Sequence, residues 1–150
     1  MARIGDIVEI GTGAGLAFAH FTHKHPQYGA LLRVFSKVYD RRPIDITDVV
    51  GGAPSFNCFF PLGAALRRGI VSIVGWIQLS ECAAQFPVFR TGMPDREGNV
   101  SQWWLWDGEH EWRVGDLTPA QRRLSIGGTI NDTLLIDRIL SGWTPELDGR

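Results

Sequence analysis

The stretch Arg68-Gly-Ile-Val-Ser-Ile-Val-Gly-Trp-Ile-Gln-Leu79 decides how the fold is read. Five β-branched residues fall between positions 70 and 77, Trp76 and Leu79 close the run, and nothing between Arg68 and Glu81 ionises. A short apolar run of this composition, with Gly69 and Gly75 on either side of its first half, predicts a strand buried on both faces. At about 3.3 Å per residue, some ten residues cross a small domain once, so this is the expected central strand. Trp76 is then expected in the core, where truncation to alanine costs about 3–5 kcal/mol.

The segments on either side supply shorter strands to pair with it. Ile4 to Ile10 alternates and ends at Gly11-Thr-Gly-Ala-Gly15. Leu16 to His23 alternates again, with Leu16, Phe18 and His20 on one side and Ala17, Ala19 and Phe21 on the other. Period two is strand, so the glycine-rich piece reads as a hairpin turn between two antiparallel strands. A polar loop, His23 to Gln27, leads to a third extended stretch, Tyr28 to Tyr39, which Asp40-Arg-Arg-Pro43 ends. Ile44 to Val50 is short, with Asp45 and Asp48 expected to face out. Phe56 to Leu62 reads as a strand with Pro61 at its end, and Phe86, Val88 and Phe89 touch the core before an exposed loop from Thr91 to Asn99.

Asp107-Gly108 is a strong two-residue hairpin signal. As the turn it pairs Trp106 with Glu109, Leu105 with His110, Trp104 with Glu111 and Trp103 with Trp112. One face then carries Trp103, Leu105, His110, Trp112 and Val114, and reads as core. The other carries Trp104, Trp106, Glu109, Glu111 and Arg113, two large aromatics among three charges. Burying those charges unpaired costs several kcal/mol each, and baring two indoles is what soluble proteins do at binding sites. These five residues are the candidate partner-binding site. Further on, Thr118-Pro119 starts a helix that reaches only to about Leu124. Asp132 is the expected cap of a second helix through Leu140, with Leu135, Ile136, Ile139 and Leu140 on one stripe and Gly142 beyond its end. Trp143 is expected to fold back onto it, and residues 146–150 to fray. The expected fold is mainly β, a curled antiparallel sheet or partly open small barrel with a short C-terminal helical segment, in a single domain over 1–150.

Composition bounds the function classes. Fifteen basic and sixteen acidic side chains nearly cancel, which gives no electrostatic basis for a nucleic-acid partner or an anionic membrane. The N-terminus lacks the apolar core of a signal peptide, and no stretch approaches the roughly eighteen apolar residues of a membrane span. Cys58 and Cys82 lack metal-type spacing and read as free thiols of a reducing cytosol, with a disulfide between them as the alternative. The expected location is cytoplasmic.

Other candidate sites have plainer readings. Glu9-Ile-Gly-Thr-Gly-Ala-Gly15 is similar to the first motif of adenosylmethionine-dependent methyltransferases, with Asp40 downstream as the acid for the ribose, but that motif requires a helix after its glycines. A small adenosylmethionine-dependent enzyme using this loop is the alternative function. His20, His23 and His25 lie close together, His23 and His25 on one side of a strand and His20 on the other; solvated histidines are the plainer reading, and no metal is expected. No Gly-x-Ser-x-Gly elbow is present, and Glu109 and Glu111 read as exposed hairpin acids rather than a catalytic pair. Neither a catalytic residue nor a cofactor is expected.

The order of features carries a resemblance. Gly5-Asp6-Ile-Val-Glu-Ile10 is followed by an Ala/Phe strand, then by Tyr28-Gly29 leading into Leu31-Leu-Arg-Val-Phe35. Phe56 to Phe60, Gly75-Trp76-Ile-Gln-Leu79 and Phe86-Pro-Val-Phe89 come next, and then Arg123-Leu-Ser-Ile-Gly127 and Asp137-Arg-Ile-Leu-Ser-Gly142. The chain resembles the immunity protein twenty-six family of bacterial polymorphic-toxin systems. The resemblance implies a small β-rich cytosolic protein that binds and neutralises a cognate toxin without catalysis. It departs from the family at Leu16-Ala-Phe-Ala-His-Phe21, where the family strand is richer in Tyr, and it offers no site residue to carry over. A β-barrel interaction module unrelated to toxins is the remaining reading.

Overall fold

The computed structural model describes residues 1–150. The chain is mainly β, with its longest helix near the C-terminus, and the strands divide between two sheets, neither closed into a barrel. In chain order the first elements are β1 (Asp6–Gly11), β2 (Leu16–His25), β3 (Gly29–Tyr39), α1 (Thr47–Val50), β4 (Phe56–Phe60), α2 (Leu62–Arg67) and β5 (Val71–Trp76). They are followed by α3 (Glu81–Ala84), β6 (Phe89–Thr91), β7 (Trp103–Trp106), β8 (Glu111–Gly115), β9 (Ser125–Ile126) and α4 (Asp132–Ser141). The large sheet runs β4-β3-β2-β1-β5, all antiparallel. The small sheet runs β8-β7-β6-β9, with β9 parallel to β6.

The glycine-rich piece is the hairpin turn its flanks predict. Gly11 pairs with Leu16, the Thr12 amide donates to the Gly15 carbonyl at 2.9 Å, and Gly13 and Gly15 take φ of 82° and 147°. A Cβ at Gly15 would also strike the Tyr39 carbonyl at 2.5 Å. Strand, not helix, follows these glycines, so the strand-turn-helix context of the methyltransferase motif does not form.

The expected central strand is an edge strand. β5 pairs only with β1. Val71 reaches the core on one side of the sheet, while Val74 and Ile77 pack on the other. Ile73 and Trp76 stay open, and Trp76 keeps 47% of its exposure. Its Nε1 donates to the Ile4 carbonyl at 3.0 Å and the Arg3 guanidinium lies 5.0 Å from its ring. Trp76 is thus a clasp on the N-terminal segment, and the core-scale cost expected of Trp76→Ala does not apply. The centre of the sheet is β2, enclosed by β1 and β3.

Both faces of the large sheet are covered. On one, Val8, Ile10, Ala17, Ala19, Leu32 and Val34 form the main core with Leu62 and Ala65 of α2 and Leu135 and Ile139 of α4. On the other, Ile7, Phe18 and Phe35 pack on Val49 and Val50 of α1. Beyond them Leu31 and Phe59 meet Phe89, which joins the two sheets. The strap from Ser125 to Ile130 also stitches them: the Asn57 amide donates to Ser125 Oγ at 3.0 Å and the Ile130 amide to the Phe59 carbonyl at 3.0 Å.

The C-terminal helix forms over the expected residues, with one correction at its start. Asn131, not Asp132, is the cap, its Oδ1 accepting from the Leu134 amide at 2.9 Å. Gly142 closes it with φ 68°. Leu135 and Ile139 are buried, Leu140 faces out, and Trp143 folds back edge-on to Phe56 with Arg138 over its ring. The helix expected from Thr118 shrinks to a 3₁₀ turn, Gln121–Arg123, held by the reciprocal Thr118 and Gln121 bonds of a capping box. In the tail a 3₁₀ turn spans Pro145–Leu147, and Arg122 Nη1 donates to the Arg150 carbonyl at 3.3 Å. Arg90 is fully buried over Trp103 and its Nη2 donates to the Pro145 carbonyl at 2.6 Å, and Arg150 pairs with Asp148 at 2.8 Å. No helix is long and apolar enough to cross a membrane.

Candidate functional site

The tryptophan hairpin forms, with a longer turn than two residues. Trp106 pairs with Glu111, Leu105 with Trp112 and Trp104 with Arg113, and a bulge sets Trp103 against Gly115. Asp107 is the cause. Its Oδ1 accepts from the amides of Glu109 at 3.0 Å and His110 at 2.8 Å, and its own amide donates to the His110 carbonyl. The carboxylate thereby organises a four-residue loop, and the same amides, His110 first, hold its pKa below the ordinary carboxylate value. Gly108, at φ 101°, lies against the Phe86 ring where a Cβ would collide at 2.8 Å.

The register differs from the expected one by two residues, and a shift of two leaves every strand side chain on its face. Trp103 and Leu105 are buried on the side of Arg90, as their face predicts, whereas Trp112 is exposed and His110 lies in the exposed loop. On the opposite face Trp104 keeps 38% of its exposure beside exposed Arg113, whose Nη1 donates to Gln102 Oε1 at 3.4 Å. Glu109 and Glu111 are exposed and form no ion pair.

Trp106 has a different fate. It is half-buried in an aromatic cluster, with ring centroids 5.6 Å from Phe89, 5.7 Å from Phe86, 5.9 Å from Phe59 and 5.3 Å from Tyr28. His25 joins at 5.1 Å and is locked by its hydrogen bonds. Its Nδ1 accepts from the Gln27 and Tyr28 amides, so the proton sits on Nε2, which donates to the Gly108 carbonyl at 3.1 Å. The hairpin tip is therefore held to the β2–β3 turn by one hydrogen bond and an aromatic stack. A cleft of about 510 Å³ lies against it, lined by Trp106, Tyr28, Glu109, Glu111, Gly127 and Gly128 among others.

All three histidines lie on one face; His20 is buried, while His23 and His25 remain partly exposed. β2 pairs His20 with Arg33 and His23 with Leu31, and the register shift between Phe21 and His23 absorbs one residue and brings them into line. Each then binds backbone: His23 Nε2 donates to the Ala84 carbonyl at 2.8 Å, and buried His20 Nε2 lies 3.1 Å from the Gly5 carbonyl and 2.9 Å from that of Ile77. Burial lowers the His20 pKa. Cys58 and Cys82 are free thiols, and burial pushes the Cys58 thiol up to about 12.

Sequence reasoning selected the hairpin face but missed His25, Tyr28 and the Gly127-Gly128 strap, which complete the cleft from 80 residues upstream and 20 downstream. Pro26 after His25, and Tyr28-Gly29 at a turn, were the available signals. Compared with known protein families, with characterised proteins and with solved structures, the chain matches none.

Proposed function

We propose that this is a non-catalytic, cytoplasmic binding protein, an immunity protein that neutralises a cognate bacterial toxin through the Trp104 face of the β7–β8 hairpin. The observation that carries the reading is an aromatic left open on a hairpin that is otherwise packed. Trp104 remains 38% exposed on a strand whose neighbour Trp106 is clamped by an aromatic cluster, and Glu109 and Glu111 beside it lack cationic partners. Indoles supply much of the energy at interface centres. A strand already fixed by packing loses little conformational freedom on docking. The two carboxylates suit a basic patch and speed encounter with it. The sequence resemblance supports a protein toxin as the partner class.

The test is co-expression with the toxin encoded beside the gene. Growth is restored and a stable complex forms. In that complex Trp104→Ala weakens binding by about 2 kcal/mol or more and Glu111→Lys slows association, each with a melting temperature close to wild type. Unchanged binding in both variants removes the hairpin from the interface. Failure to bind the neighbouring toxin, together with micromolar affinity for adenosylmethionine in calorimetry, replaces the immunity reading with the enzymatic one.

A further inference from the structure

A second cleft, of about 420 Å³, shares no lining residue with the one against the hairpin. Arg33 of β3 and Asn57 of β4, opposite each other in the sheet register, line it together with Thr22 of β2. Phe86, Val88 and Leu124 line an apolar wall, and Arg123 stands at the mouth, loosely paired with Glu146 at 3.6 Å between exposed side chains.

Arg33 is the anomaly. It is half-buried, and that burial lowers its pKa. No carboxylate pairs with it, and its nearest compensation is the Phe35 ring, 6.0 Å from the guanidinium carbon. An unneutralised cation in a partly dehydrated cleft costs stability unless something offsets it. A second donor faces the same space: Ser125 Oγ accepts from the Asn57 amide at 3.0 Å and from Nδ2 at 3.4 Å, which leaves its own proton free for another acceptor. The volume lies in the range of small-molecule sites, and a guanidinium fork matches two coplanar oxygens.

We propose that this cleft binds a small organic carboxylate, its anionic head on Arg33 and Ser125 and its apolar body against Phe86, Val88 and Leu124. A tetrahedral phosphate dianion suits the cleft less well, because its second cation, Arg123, is exposed and its other wall is apolar.

Benzoate is the probe, titrated by thermal melting and calorimetry, with sodium chloride at matched ionic strength and inorganic phosphate as the second arm. Benzoate stabilises the wild type saturably. Arg33→Met loses that response and, in chloride alone, melts close to the wild type, because the charge it removes is only half-buried and has no ion-pair partner. Arg33→Lys, which keeps the charge and folds but loses the fork, binds benzoate about tenfold more weakly. No saturable benzoate response in the wild type, or the same affinity in Arg33→Lys, overturns the proposal. So does phosphate saturating at lower concentration than benzoate, which assigns the cleft to phosphoryl groups instead.

Discussion

Two strands flank β1, and they live in different surroundings. On one side β2 carries three histidines, a threonine and a lysine among its apolar residues, yet it is the middle of the sheet, with strands on both edges and covered cores above and below. On the other side β5 has no ionisable residue, yet its outer edge is free and Ile73 and Trp76 look outward. The difference teaches that composition alone reports neither what covers a strand nor what lies beside it: chain connectivity decides how many strands flank it, and burial follows from that place in the sheet. β2 has a tight hairpin at each end, Gly11–Gly15 to β1 and Pro26–Tyr28 to β3, and a strand with two hairpin partners cannot be an edge. β5 arrives by way of α2 and adds beside β1 after the centre of the sheet is complete.

The largest effect that tests this comparison is in β2. Phe18 is fully buried between α1 and the sheet, edge-on to Tyr39 at 5.7 Å. Phe18→Ala is expected to cost about 3–5 kcal/mol in urea unfolding. A loss below about 1.5 kcal/mol would mean that the α1 side of the sheet is loosely packed and β2 is not the spine.

A smaller effect depends on pH. Burial lowers the His20 pKa below 6.5, against raising contributions from the carbonyls of Ile77 and Gly5, with Arg33 lowering it and Asp6 raising it more weakly. The sign follows from linkage: the folded state holds His20 neutral, while the unfolded chain takes up a proton near pH 6.5. The stability tied to His20 is therefore fully present above that value and is lost as pH falls toward the lowered folded pKa. His20→Gln can still donate to one of the same carbonyls but cannot protonate. Its urea stability is expected to fall less steeply than wild type between about pH 7 and pH 5. Equal slopes would show that His20 is free to charge in the fold.

The parts of the fold legible in the sequence are those set within one or two turns of chain. The alternation of Leu16 to His23, the glycine turn before it, the α4 stripe of Leu135 and Ile139 and the left-handed Gly142 all follow from local periodicity and φ preference. Helix α2 was not legible, because Leu62 to Arg67 is less than two turns long and begins directly after Pro61, the residue that follows β4. Nor was the shift in β2 that turns His20, His23 and His25 to one face, since nothing in those residues marks which one the partner strand will skip. At the candidate site the hairpin and its two faces were readable, because a two-residue error in register preserves side-chain direction. The covering of Trp106 was not, because it depends on Phe59, Phe86 and Tyr28, which come from elements that meet only in the folded chain.

The smallest effect is the one that most directly separates the two strands. Trp76 is the largest side chain of β5, and a core residue of its size would rival Phe18 in cost. Half of its surface is already in water. Truncation to alanine removes the remaining burial, the hydrogen bond from Nε1 to the Ile4 carbonyl and the stack with Arg3. A net hydrogen bond contributes about 1 kcal/mol and an exposed cation–π contact about 0.5–1 kcal/mol. Part of each is recovered when water solvates the freed carbonyl and guanidinium. The expected loss is about 1–2 kcal/mol, and hydrogen exchange should show it as faster opening of the first few residues, with the β2 amides unchanged. Gly5 sharpens the test: a Cβ there would meet the indole at 2.3 Å, so the clasp is fitted closely to a backbone at φ 103° that suits glycine. If Trp76→Ala instead unfolds the protein as readily as Phe18→Ala, β5 contributes to the core as much as β2 does, and the contrast between edge and centre fails.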